Sequence, residues 1–137
     1  MAGLNYSKTF SFDSEGGTIA MIFIDTTTLA PSLNRCCNSE GGVSSSQQAV
    51  LIKDQLMHIK RMLSEAADAQ PTWLVVVGHY PLWSQGEHLD SYELISYLQP
   101  LLAQYKVHAY LPGHGHFNSH LSYGVNTGDT EHFIFGA

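Results

Sequence analysis

The 137-residue chain has only two cysteines, Cys36 and Cys37, and they are adjacent. Neighbouring cysteines rarely reach the geometry of a disulfide with each other, so no internal bridge is expected and the redox compartment stays open. Lysine and arginine are scarce, six against twelve aspartates and glutamates, for a formal net charge of -6. That argues against nucleic acid and anionic membranes as partners, since both reward clustered cationic side chains. Long apolar runs are missing as well. No window approaches the length of a membrane-crossing helix, and residues 1–13 carry no apolar core of a secretory signal. Internal repeats and low-complexity tracts are absent. The length suffices for one modest hydrophobic core and is too short for two ordinary domains.

Histidine, by contrast, is plentiful at eight residues, and three of them fall into a pattern. Gly78-His79-Tyr80-Pro81 follows the apolar run Trp73-Leu74-Val75-Val76-Val77, and Gly113-His114-Gly115-His116 follows His108-Ala109-Tyr110-Leu111. Each reads as a buried strand that breaks at glycine and presents imidazole on the next turn. Neutral imidazole is the commonest protein ligand for zinc, iron and similar metals. His114 and His116 are two residues apart, a spacing that in extended backbone points both side chains to one face. Open α/β sheets gather ligands at the carboxyl ends of their strands, so adjacency of the two strands would bring His79 within reach. Singly, each histidine is an ordinary polar residue at a strand end. Two glycine-preceded histidine turns after two apolar strands favour a metal site.

The remaining pattern predicts an α/β chain with a mixed sheet and covering helices. Residues 9–12 and 18–24 read as strands of a hairpin about Gly16-Gly17, and residues 30–46, rich in Ser, Asn, Gly and Pro, as a surface loop. A helix is expected over 46–69, because Ile52, Leu56, Ile59, Leu63 and Ala66 recur at spacings of four and three, with Ser44 to Ser46 as caps and Pro71 beyond its end. His58 falls off that stripe and reads as exposed. The strand at 73–77 is apolar on both faces, as in a covered sheet. The segment 80–89 holds Trp83, Glu87 and His88 and is long for a strand-to-helix connection, which suits a substrate-facing wall; Trp83 also reads as core packing. Helices are expected over 91–99 and, restarted by Pro100, through Tyr105, followed by a strand at 107–111. Strand, helix and strand in this order make a right-handed parallel crossover, which places both histidine turns at one end of the sheet. Residues 119–123 and 132–135 read as short strands, with His120 and His132 as surface residues.

The blocks running from Val75 through Gly78-His79-Tyr80-Pro81-Leu82-Trp83-Ser84, Glu87-His88, Leu98-Gln99-Pro100-Leu101-Leu102 and Ala109-Tyr110-Leu111-Pro112-Gly113-His114-Gly115-His116 resemble, in order and spacing, the calcineurin-like metallophosphoesterases, and within them the purple (tartrate-resistant) acid phosphatases. Ile24-Asp25-Thr26 is similar to that family's Leu-Asp-Thr segment. The resemblance implies half of a four-layer α/β/β/α sandwich and a dinuclear centre of iron plus a divalent metal, iron, zinc or manganese. It implies hydrolysis of small phosphate monoesters by a metal-bound hydroxide, with His79 and His114 on the divalent ion and His116 on the iron. His88 matches a histidine that contacts the phosphate or protonates the leaving group, a role for which the intrinsic pKa of imidazole is suited; without the resemblance it is a loop histidine beside Glu87. A secreted or lysosomal setting is implied too. So is a disulfide from near Cys36 to the loop after the first histidine turn, but residues 84–98 hold no cysteine to complete it.

The chain departs from the family pattern in two respects. Gly115 stands where Gly-His-Asp-His has aspartate, which removes a carboxylate able to orient a ligand imidazole. The motifs Gly-Asp-x-Gly, Gly-Asp-Asn-x-Tyr and Gly-Asn-His-Asp/Glu, which carry the other ligands, are absent, and the one Gly-Asp pair is Gly128-Asp129. Residues 1–137 are therefore expected to be the C-terminal part of a single metallophosphoesterase domain, cut at both ends, with the missing N-terminal half as partner. An acidic protein that binds phosphate needs a local positive source, and metal ions would supply it. The alternative class is a non-catalytic remnant or a mononuclear metal-binding module, since three protein ligands and water suffice for one zinc ion.

Overall fold

A computed structural model describes residues 5–12, 14–33, 44–84, 90–122 and 130–136. Strands β1 (Tyr6–Ser11) and β2 (Thr18–Phe23) pair antiparallel from Tyr6 opposite Phe23 to Ser11 opposite Thr18. Gly16 turns the hairpin at φ 91, a left-handed conformation that glycine adopts without steric cost. A single helical turn, α1 (Thr26–Leu29), follows where the pattern suggested none, because threonines are weak helix formers. Asp25 makes it possible: its carboxylate accepts from the Thr27 N–H at 2.9 Å and caps the turn.

The long helix α2 (Ser45–Asp68) lies within one residue of the expected bounds. Ser44 and Gln47 form a reciprocal capping box at its start, and Gln70, at φ 50, reverses the chain after its end. Strand β3 (Trp73–Val77) leads through the first histidine turn to α3 (Tyr92–Tyr97) and α4 (Gln99–Gln104). Leu98 joins these two helices, and Pro100 sits in the first turn of α4, where a missing N–H costs nothing. Strand β4 (Ala109–Leu111) completes the crossover, and β5 (Ser119–Ser122) and β6 (Glu131–Ile134) finish the sheet.

The sheet order is β1-β2-β3-β4-β6-β5. Strands β2, β3, β4 and β6 are parallel, and β1 and β5 are antiparallel at the edges. Because β3 and β4 are hydrogen-bonded neighbours, with Val77 opposite Leu111, the turns that leave them start side by side.

One face of the sheet carries the core. Ala20, Ile22, Leu74, Val76 and Tyr110 alternate inward and meet Ile59 and Leu63 of α2, Leu94 of α3, Leu98 and Leu102 of α4. Each such fully buried aliphatic side chain contributes roughly 1.5–3 kcal/mol relative to exposure. The stripe residues Ile52, Leu56 and Ala66 pack against this core, as does Trp83, which settles its two readings toward packing. The intervening strand residues Ile19, Met21, Phe23, Val75, Val77 and Leu111 point to the opposite face and are half-buried; none belongs to the core cluster. A parallel sheet with helices on one face and an apolar second face is an α/β half-sandwich. Among the described residues, no helix is long and apolar enough to cross a membrane.

His132 differs from its expected surface position. Strand alternation places it on the same side of β6 as Ile134, and it is 3% exposed. Its ring lies 5.6 Å from that of Tyr110 in an edge-to-face contact. His120 is exposed, as expected, and pairs with Glu131 at 2.6 Å.

Candidate metal centre

The turn after β3 is built from both sides. Gly78 has no room for a side chain: a Cβ there would lie 2.5 Å from the Tyr110 hydroxyl and 2.8 Å from Thr26 Cγ2. Thr26, fully buried, accepts through Oγ1 from the backbone N–H groups of His79 at 3.1 Å and Tyr80 at 2.9 Å. From the opposite side, the Tyr110 hydroxyl donates to the Tyr80 carbonyl at 2.6 Å. Burial pushes that hydroxyl's pKa far up, so it stays a donor. The second histidine turn docks on the first, the Gly113 N–H donating to the His79 carbonyl at 3.0 Å.

This backbone arrangement brings His79 and His114 together. Nε2 of His79 and Nδ1 of His114 are 3.0 Å apart, with the rings edge to face at 4.8 Å. The Tyr80 ring stands 4.7 Å from that of His114 and 4.8 Å from that of His79. A cleft of about 330 Å³, lined by Phe23, Asp25, Thr26, Val77, Gly78 and His79, opens beside it at the carboxyl ends of β2 and β3. A larger groove of about 660 Å³ lies elsewhere, between α2 and α4, lined by residues such as Ile52, Met57, Tyr97 and Leu101; it contains no histidine.

Asp25 is the carboxylate beside this cleft, and its oxygens are already engaged. One accepts from Thr27 Oγ1 at 2.5 Å and the other from Thr28 Oγ1 at 2.8 Å. Partial burial pushes its pKa up, but the hydrogen bonds from Thr27 and Thr28 prevail and hold it below the usual carboxylate value. Its backbone is fixed as well. The Asp25 N–H donates to Asn5 Oδ1 at 2.7 Å, and the Gln55 side-chain amide donates to the Asp25 carbonyl.

His116 is exposed on the turn just beyond His114. The two-residue spacing would align both rings only in extended backbone, and His114 instead takes a left-handed φ of 65. Among the described residues, no group of three or more His, Cys, Asp or Glu is placed to hold a metal ion. The structure thus assembles His79 with His114 and does not bring His116 into a common cluster with them. His88, the adjacent Glu87, Cys36, Cys37 and the Gly128-Asp129 pair lie outside the described residues.

Two ring nitrogens 3.0 Å apart can both reach one ion at the ~2.0–2.1 Å of a zinc–imidazole bond, so the pair fits two ligands of a single cation. A pair of cations needs more donors than the described residues bring together.

No protein-family model matches the chain. It is 37% identical over 115 residues to the tartrate-resistant acid phosphatase type 5 of Oryctolagus cuniculus, a match covering 81% of this chain and 33% of that protein. Over these stretches the chain is similar to the purple acid phosphatases. It spans about a third of the length of the curated relatives it matches. Among solved structures it is similar to one described as GAP50, the anchor in the inner membrane complex of Plasmodium, with a TM-score of 0.72 and 26% identity over 99% of this chain and 38% of that one. It also shares the fold of the purple acid phosphatase PPD1 from yellow lupin (Lupinus luteus) seeds, at a TM-score of 0.52 and 18% identity, covering 96% of this chain and 22% of that one.

Measured against the purple acid phosphatase pattern, Gly115 is a packed position. A Cβ there would meet the Phe117 ring at 3.0 Å and Ile134 Cγ2 at 3.3 Å, so an aspartate requires these apolar side chains to give by a few tenths of an ångström. Thr26, Tyr110, Asn5 and Gln55 escaped the sequence reading as site residues. For Thr26 a signal existed, its place in the Asp25-Thr26 segment; the others lie in runs with no chemical signature.

Proposed function

We propose that this chain is the histidine-bearing part of a phosphate-monoester hydrolase of the purple acid phosphatase type, with His79, His114 and His116 as its metal ligands. The observation that carries the reading is the 3.0 Å approach of His79 to His114 at the carboxyl end of the sheet, in a chain that matches an acid phosphatase over 81% of its length. The carboxylate, tyrosine and asparagine ligands come, on this reading, from residues outside these 137. When bound, a pair of cations, iron and a divalent metal, lowers the pKa of bound water and clamps the phosphate for in-line displacement. The chain's own part is to hold two imidazoles toward one ion at the edge of the cleft that Asp25, Thr26 and His79 line. His88 serves as the group that contacts the phosphate or donates a proton to the leaving oxygen. A secreted or lysosomal site of action accompanies the assignment.

The test has two parts. In the full-length product, His114→Ala abolishes hydrolysis of an aryl phosphate and reduces bound metal measured by elemental analysis. The 137-residue chain alone binds zinc weakly and turns over little substrate; robust turnover by the isolated chain would overturn the assignment of the remaining ligands to other residues. A second reading, a module that holds one metal or none without catalysis, is favoured by the absence of a third ligand beside His79 and His114 among the described residues. Full-length protein with native metal content and no activity toward any phosphate ester would support it.

A further inference from the structure

The backbone at His79 is held by groups remote in sequence. Thr26 touches the turn with both branches of its side chain: Oγ1 accepts from the His79 and Tyr80 N–H groups, and the methyl presses against Gly78. Thr26 is itself held from behind, because Asn5 and Gln55 fix the backbone of Asp25 and Asp25 caps the helical turn to which Thr26 belongs. Tyr110 clamps the same turn from the neighbouring strand. Removing the threonine oxygen takes away the one acceptor atom that the His79 and Tyr80 N–H groups share.

We infer that Thr26 is a positioning residue for the metal ligand His79, aiming its ring at His114 by holding the His79 and Tyr80 N–H groups from beneath the turn. The inference rests on the reading of His79 as a ligand, and its test separates the two. Zinc binding to the 137-residue chain is measured by calorimetry for the native protein, Thr26→Val, Thr26→Ser and Tyr110→Phe. Thr26→Val keeps the shape and removes the acceptor, so its zinc affinity falls ~10–100-fold, the usual effect of losing a group that orients a ligand. Thr26→Ser restores the acceptor and returns the affinity to within a few-fold of native.

The metal-free readout is the nuclear Overhauser contact between the His79 and His114 rings, present in the native and Thr26→Ser chains and lost in Thr26→Val. A native chain that binds no zinc refutes the ligand reading, and the ring contact then decides the positioning role by itself. If circular dichroism shows Thr26→Val unfolded, Tyr110→Phe, which loosens the same turn from the other side, takes its place in both readouts. Native zinc affinity and native ring contacts in a folded Thr26→Val or substitute Tyr110→Phe chain overturn the inference. Equal losses in Thr26→Ser and Thr26→Val also overturn it, because they would assign the role to packing.

Discussion

Acid should destabilise this chain through His132 before the contributions of Asp25 and Glu131 are lost. The imidazole is buried on the core face of β6 against Tyr110, and burial pushes its pKa down to about 4, with the neighbouring Glu131 charge opposing the shift. An unfolded chain restores the value to ~6.5. The folded state therefore binds fewer protons than the unfolded one between those pH values. Stability conferred by neutral His132 is fully present above ~6.5 and is lost progressively as pH falls toward the folded pKa of about 4. The difference of roughly 2.5 units corresponds to ~3 kcal/mol, a sizeable part of the stability of a small domain. Asp25 and Glu131 also have lowered folded pKa values, but their contributions are lost only below their unfolded values of 3.8 and 4.5. The window from about 6 to 4.5 consequently separates the histidine from Asp25 and Glu131. Urea denaturation followed by tryptophan fluorescence at stepped pH should show the native chain losing stability across that window. His132→Leu should flatten the decline. An unchanged pH slope in a folded His132→Leu chain would refute the assignment of the acid sensitivity to this ring.

Two further outcomes follow from the histidine turns. Gly78→Ala forces a Cβ to within 2.5 Å of the Tyr110 hydroxyl and 2.8 Å of Thr26, and should destabilise the chain by ~1–3 kcal/mol in chemical denaturation, with loss of zinc binding beyond what the stability change explains. Gly115→Asp, which restores the residue of the phosphatase pattern, should weaken folding and leave zinc affinity unimproved, because its Cβ meets Phe117 at 3.0 Å and Ile134 at 3.3 Å. The double variant Gly115→Asp with Phe117→Ala should recover stability relative to Gly115→Asp alone; calorimetry and thermal melting measure both effects.

The fold was legible where a period or a punctuating residue set the structure locally. The glycine pair after β1, the four-three spacing along α2 and the proline that restarts the chain at α4 each act within a few residues, and the expected elements are there. The parallel neighbours β3 and β4 followed from strand-helix-strand order alone. Less legible were α1, which depends on one aspartate overriding three weak helix formers, and His132, whose burial depends on which face of a four-residue strand the neighbouring chain covers. Sequence reports the type of that residue and says nothing of its side of the sheet until the register is known.

The candidate site divides along the same line. Glycine-histidine turns announce that imidazoles stand at strand ends, because glycine there permits close approach and the turn residues are named in the motif. Their mutual aim is a different matter. His79 and His114 meet through contacts spanning 20 to 54 residues: Thr26 to the His79 and Tyr80 amides, Tyr110 to the Tyr80 carbonyl, and Asn5 and Gln55 behind Asp25. Such groups leave no local period, since a threonine after a strand or a glutamine on a helix is unremarkable by itself. The extended-backbone argument for His116 meets the converse difficulty: a single left-handed residue, His114, changes where the next side chains point, and histidine, though commoner than most residues in that conformation, does not announce it by itself. Imidazoles at strand ends are a matter of sequence motif; the approach of His79 to His114 is a matter of the tertiary clamps beneath them, so a substitution at Thr26 should disturb the pair even though both histidines remain in place.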